Sequence, residues 1–154
     1  MRLRSILLPT DFSESAECAL SYAADLARRD GARLLCLHVV ETVAPPPVVG
    51  YAPTAEPPPS ADVSEGLEES AQRELPRLAR RDECAGLEVE ELVTHGEAAS
   101  EIVRVARERA VDLIVVSSHG RTGLGRMLFG STAESVVRHA QCPVLVVKPK
   151  GSGQ

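Results

Sequence analysis

The chain has no tryptophan, and its aromatic side chains are only Phe12, Tyr22, Tyr51 and Phe129. That is too few for the stacking platforms that read single-stranded nucleic acid. Its four cysteines, Cys18, Cys36, Cys84 and Cys142, are widely scattered with no CxxC pair. This argues against a zinc site or a disulfide framework and for small buried thiols in a reducing compartment. No apolar run approaches membrane-spanning length, and the apolar part of MRLRSILLP at the start is too short for a signal peptide. The expectation is a soluble, cytoplasmic protein with no membrane contact. Positive charge is also in deficit: 17 basic against 22 acidic residues leave a net charge of −5. That balance disfavours a general nucleic-acid binder. Ten of the acidic residues fall between Asp62 and Glu91, beside four arginines. They read as a solvated helix face and a strand edge, so no metal site is predicted.

What is present is enough for one packed core: 154 residues, 44% of them hydrophobic. One domain is predicted over residues 1–150, interrupted by a proline-rich insertion at 41–61. Leu3 to Leu8, ended by Pro9, reads as a first strand, and Thr10-Asp11-Phe12-Ser13 supplies capping groups to a first helix. In that helix Ala16, Ala19, Leu20, Ala23, Leu26 and Ala27 recur at three- and four-residue spacing, and Gly31 closes it. Leu34 to Val40 reads as a second buried strand. Seven of the 11 prolines then fall between Glu41 and Ser60, a stretch without periodicity that reads as a lid or a disordered insertion.

A second helical pattern runs from Asp62 to about Cys84, with Pro76 expected to kink or split it. Leu87 to Val93, flanked by acidic residues, suggests a third strand nearer the sheet edge. A third helix over Ala98 to Ala106 follows the His95-Gly96 turn, and Pro143 introduces a last strand, Val144 to Val147. The order is β-α-β-α-β-α-β-α-β. Strict alternation with near-continuous apolar strands predicts an α/β fold, an open five-stranded parallel sheet with helices on both faces. Ligands of such sheets bind beyond the carboxyl ends of the strands, where the strand order reverses.

The most informative stretch is Asp112 to Lys148. The apolar run Leu113 to Val116 gives way to a loop with Gly120, Gly123, Gly125 and Gly130, followed by Ser131 and Thr132 as capping hydroxyls for a helix through His139. Between Asp112 and Glu134 there is no acidic residue, only Arg121, Arg126 and His119. Strand, glycine loop and helix N-terminus together can seat an anion, phosphate above all. The spacing matches neither GxGxxG nor GxxxxGK[ST], so an ordinary βα connection stays open on spacing alone.

Taken in order, Pro9-Thr10-Asp11-Phe12-Ser13, His38-Val39, Ser118-His119-Gly120, Gly130-Ser131 and Cys142-Pro143-Val144-Leu145-Val146-Val147 resemble the universal stress protein family over nearly the whole chain except the proline-rich loop. Within it the chain is more similar to the ATP-binding branch. That branch carries a glycine, two residues, a glycine, nine residues, then glycine and Ser or Thr. Gly120, the nine residues 121–129 and Gly130-Ser131 fit, while Ser117 stands at the first glycine position.

The resemblance implies a Rossmann-like fold of the adenine nucleotide alpha hydrolase kind and a stress-response protein that binds ATP, with or without magnesium. Thr10, Val39 and Val116 would surround the adenine, with Pro9 shaping the wall. Asp11 would meet the ribose hydroxyls or help hold magnesium. Gly120, Gly130, Ser131 and Thr132 would receive phosphates, Ser117 would face a phosphate or the ribose, Arg121 would add charge, and His119 would hold the loop or touch a phosphate. It also implies a homodimer through Val144 to Val147, an exposed apolar edge being usually paired.

Plainer readings stand beside these. Asp11 can serve only as a helix cap, and His38 reads as a satisfied core histidine. No Ser–His–Asp arrangement is readable, so no catalytic residue is predicted and at most weak ATP hydrolysis is expected. The rivals are a slow ATP-hydrolysing enzyme on the same fold and a dimeric adaptor that takes no nucleotide. An ATP pyrophosphatase or adenylyl transferase would carry SGGxDS or a HxGH pair, and neither occurs here. No protein partner can be named from the residues.

Overall fold

The β-branched and leucine-rich runs form strands wherever they are long enough to be buried on both faces. In the computed structural model, which describes residues 2–41, 60–119 and 130–149, the order is β1 (Ser5–Pro9), α1 (Glu14–Asp30), β2 (Arg33–Val40), α2 (Ser60–Ala79), a short 3₁₀ turn (Asp82–Cys84), β3 (Val89–His95), α3 (Ala98–Glu108), β4 (Leu113–Ser117), α4 (Ser131–His139) and β5 (Val144–Val147). All five strands are parallel, in the order β3-β2-β1-β4-β5. The proline-rich stretch 42–59 and most of the glycine loop lie outside the described residues.

Alternation along each strand sorts its side chains between two cores. Ile6, Leu8, Leu34, Cys36 and Val115 face α1 and α2, packing with Leu20, Leu75 and Leu78. Leu7, Leu35, Leu37, Ile114 and Val116 face α3 and α4, packing with Ile102, Val105 and Val136. Burial on both sides explains why these strands read as continuous apolar runs. The third strand is indeed an edge, and it carries charge there. Glu90 on β3 pairs with Arg33 and with Arg109, which discourages further strand addition.

The four cysteines are free thiols; Cys36 and Cys84 are buried, and burial pushes the Cys36 thiol up to about 12. Among the described residues no helix is long and apolar enough to cross a membrane, and no cluster of His, Cys, Asp and Glu is placed to hold a metal.

Of the two outcomes expected at Pro76, a kink or a split, the split does not occur: α2 continues to Ala79, and the Arg80 amide donates to the Pro76 carbonyl at 3.2 Å. Ala71, Leu75 and Leu78, on both sides of the proline, are all buried against the sheet. Their packing outweighs the one missing backbone bond.

The ends of α1 follow the expected rules. Ser13 caps it, its hydroxyl accepting from the Ala16 amide at 3.3 Å. Gly31 closes it at φ 69°, with the Ala32 amide returning to the Ala27 carbonyl at 2.9 Å. A Cβ at Gly31 would meet only the end of the Arg2 side chain, at 3.5 Å. Gly31→Ala therefore isolates backbone strain, and it should destabilise by about 1 kcal/mol, lowering the melting temperature by roughly 2–4 °C. A melting curve unchanged within a degree would contradict the left-handed cap.

Candidate functional site

The chain runs outward from β1 through β2 to β3, then returns to build β4 and β5 on the other side. The reversal leaves a cleft between β1 and β4, at the carboxyl ends of the strands. A cavity of about 400 Å³ opens there, within the usual size range for small-molecule sites.

Most of the predicted site residues converge on it. Pro9, Thr10 and Asp11 come from the end of β1, Val39 from β2, Val116 and Ser117 from β4, and Gly130, Ser131 and Thr132 from the start of α4. His119 does not line it. Its Nδ1 lies 2.8 Å from the Ser118 hydroxyl, while Ser117 donates to the His119 carbonyl at 2.7 Å. Gly120 and Arg121 lie outside the described residues, as do Gly123, Gly125 and Arg126. Further wall residues escaped the sequence reading: Leu67 of α2, Ala98 and Ile102 of α3, and Glu41 after β2. Nothing in a linear pattern says which helix will cover a switch point.

The two ends of the cavity differ chemically. At one end Asp11 closes a tight turn: its Oδ1 accepts from the Ser13 amide at 3.0 Å, and the Thr10 hydroxyl accepts from the Phe12 amide at 3.1 Å. At the other end stands the N-terminus of α4. Gly130 is its N-cap, at φ −68° and ψ 156°, and no side chain caps the helix. The hydroxyls of Ser131 and Thr132 therefore do not serve as caps, contrary to expectation, because both residues already lie inside the first turn.

Gly130 donates its own amide to the Ser118 carbonyl at 2.6 Å, and the Glu134 amide returns to the Gly130 carbonyl at 3.0 Å. The three amides between them, of Ser131, Thr132 and Ala133, have no acceptor among the described residues. Ser118 fixes this end, since it is fully buried and its amide donates to the Val147 carbonyl at 2.8 Å. One buried serine thus ties β4, β5 and α4 together beside three open donors.

Residues 2–148 of the chain match the model of the Universal stress protein family. Universal stress protein MJ0531 of Methanocaldococcus jannaschii is 37% identical over 145 residues, covering 94% of this chain and 82% of the relative. MJ0577 of the same organism is 32% identical over 158 residues, covering 97% of each. The solved structure of MJ0577 superposes with a TM-score of 0.82 at 30% identity, over 98% of this chain and 99% of that one. A universal stress protein from Archaeoglobus fulgidus, solved in complex with dAMP, gives a TM-score of 0.61 at 25% identity, over 96% and 100% of the chains.

Proposed function

The chain belongs to the universal stress protein family, and on that premise we propose that it is a regulatory protein that holds ATP or another adenine nucleotide in the switch-point cavity and acts as a homodimer. The observation that carries this reading is the row of three amides at the start of α4 that have no acceptor among the described residues, on residues that line the cavity. Such amides, at the positive end of the helix dipole, suit a phosphate. The dAMP bound by the Archaeoglobus relative supports an adenine nucleotide as the class of ligand.

In this reading Val39, Val116 and Thr10 enclose the base beside Pro9. Asp11 meets the ribose or a magnesium ion. Ser117, Gly130, Ser131 and Thr132 receive the phosphates, joined by Gly120 and Arg121 from the glycine loop and by His119 through its hold on that loop. No residue is assigned to catalysis, and hydrolysis is at most weak. The dimer forms through β5, an edge strand whose Val144, Leu145 and Val146 are only half-buried.

Calorimetric titration of the purified chain with ATP, with and without magnesium, tests the reading. Saturable one-site binding is expected, and adenine nucleotide should be released when the protein is denatured as purified. Absence of both would leave the adaptor that takes no nucleotide, and sustained turnover would favour the enzyme.

A further inference from the structure

The turn that carries Asp11 is held from both sides by one residue of the neighbouring strand. His38 of β2 places Nδ1 2.8 Å from the carbonyl oxygen of Thr10, the residue before Asp11. A carbonyl can only accept, so Nδ1 carries the proton. The ring of the same histidine stacks on Phe12, the residue after Asp11, with centroids 4.8 Å apart and an angle of 26°.

Phe12 needs such a contact. It sits at φ 62°, the left-handed region that a residue with a Cβ occupies only under strain. Strain of this kind persists where surrounding contacts over-determine it. Here they are the stack and the hydrogen bond from the Phe12 amide to the Thr10 hydroxyl. The result is a three-residue turn in which Thr10 and Asp11 line the cavity, as His38 itself does, while Thr10 and Phe12 are anchored to β2.

We propose that His38 is the positioning residue of the site, setting the place of the Asp11 carboxylate through its bond to Thr10 and its stack on Phe12. This rests on the nucleotide reading for its functional consequence, though not for its structural one. The test pairs two variants. His38→Leu removes both the donor and the aromatic face. His38→Asn removes the face but keeps an N–H donor close to the place of Nδ1.

In His38→Leu, hydrogen exchange of the Phe12 and Ser13 amides should accelerate at least about tenfold relative to amides of the β1 and β4 core, and His38→Asn, which keeps the bond to Thr10 but not the stack, should recover only part of that protection. ATP affinity should fall about tenfold in His38→Leu. That loss should not add to the loss in Asp11→Asn when the two are combined, because His38 acts through Asp11.

Unchanged exchange at Phe12 and Ser13 overturns the proposal whether or not the protein binds nucleotide. Fully additive losses in the double variant overturn it as well. If the wild type binds neither ATP nor AMP while the His38 variants show the predicted exchange pattern, the nucleotide reading falls and the positioning of Asp11 stands.

Discussion

Gly130→Asp should weaken ATP binding at least about a hundredfold while leaving the melting temperature unchanged or slightly higher. Gly130 is the N-cap of α4, and its φ of −68° and ψ of 156° suit any L-residue. Aspartate is among the best N-cap residues, and it exceeds glycine there by a few tenths of a kcal/mol. Its carboxylate would accept from the amides of Thr132 and Ala133, two of the donors proposed for phosphate. It would also bring a negative charge to the place where the nucleotide's own charge must sit. Two hydrogen bonds to a charged group contribute roughly 1.5–3 kcal/mol each, and each 1.4 kcal/mol is a factor of ten in affinity. The same substitution thus improves the helix and blocks the site, which separates binding from folding within one variant. Titration and thermal melting of that variant decide the matter. Full ATP affinity with a normal melt would remove the phosphates from this end of the cavity.

The β1–β4 cleft was legible because its ingredients are local. Each strand is an apolar run with a polar residue or glycine at its carboxyl end, and in a parallel sheet all those ends lie on one side. Pro9-Thr10-Asp11, Val39 and Val116-Ser117 were therefore bound to come near one another once the strands were recognised. The acidic flanks of the third strand marked it as an edge for the same reason. What could not be read depends on contacts between distant segments. Pro76 looks like a break in isolation, yet Leu75 and Leu78 hold α2 on the sheet through it. Ala98, Ile102 and Leu67 join the cavity wall only because the strand order β3-β2-β1-β4-β5 brings α3 and α2 over it. His38 reads as a core histidine, and the contact with Phe12 that gives it a purpose requires an unusual backbone angle that no periodicity announces.

Asp112→Ala should destabilise the protein by about 2 kcal/mol at neutral pH, and the loss should fade in acid. Asp112 precedes β4, and its Oδ2 accepts from the amides of Arg4 and Ser5 at 2.8 and 3.0 Å. Its own amide donates to the Ser5 carbonyl at 3.0 Å. One carboxylate therefore joins the amino ends of β1 and β4, the two strands that border the cleft. Hydrogen bonds from the Arg4 backbone, opposed by desolvation and reinforced by the Ser5 backbone, hold the Asp112 carboxyl below its ordinary range. Asp112 is only half-buried, so solvent screening reduces the two charge-assisted bonds below their usual range, to about 1 kcal/mol each. Because the folded state binds this proton less readily than the unfolded chain, the stabilisation is fully present above the unfolded value of about 3.9. It is lost as pH falls through the lower folded value. Urea unfolding of wild type and Asp112→Ala should thus differ by about 2 kcal/mol at pH 7 and progressively less below about pH 4. A gap of the same size at pH 7 and pH 3 would mean that the aspartate acts through packing, and that the joint between β1 and β4 does not depend on its charge.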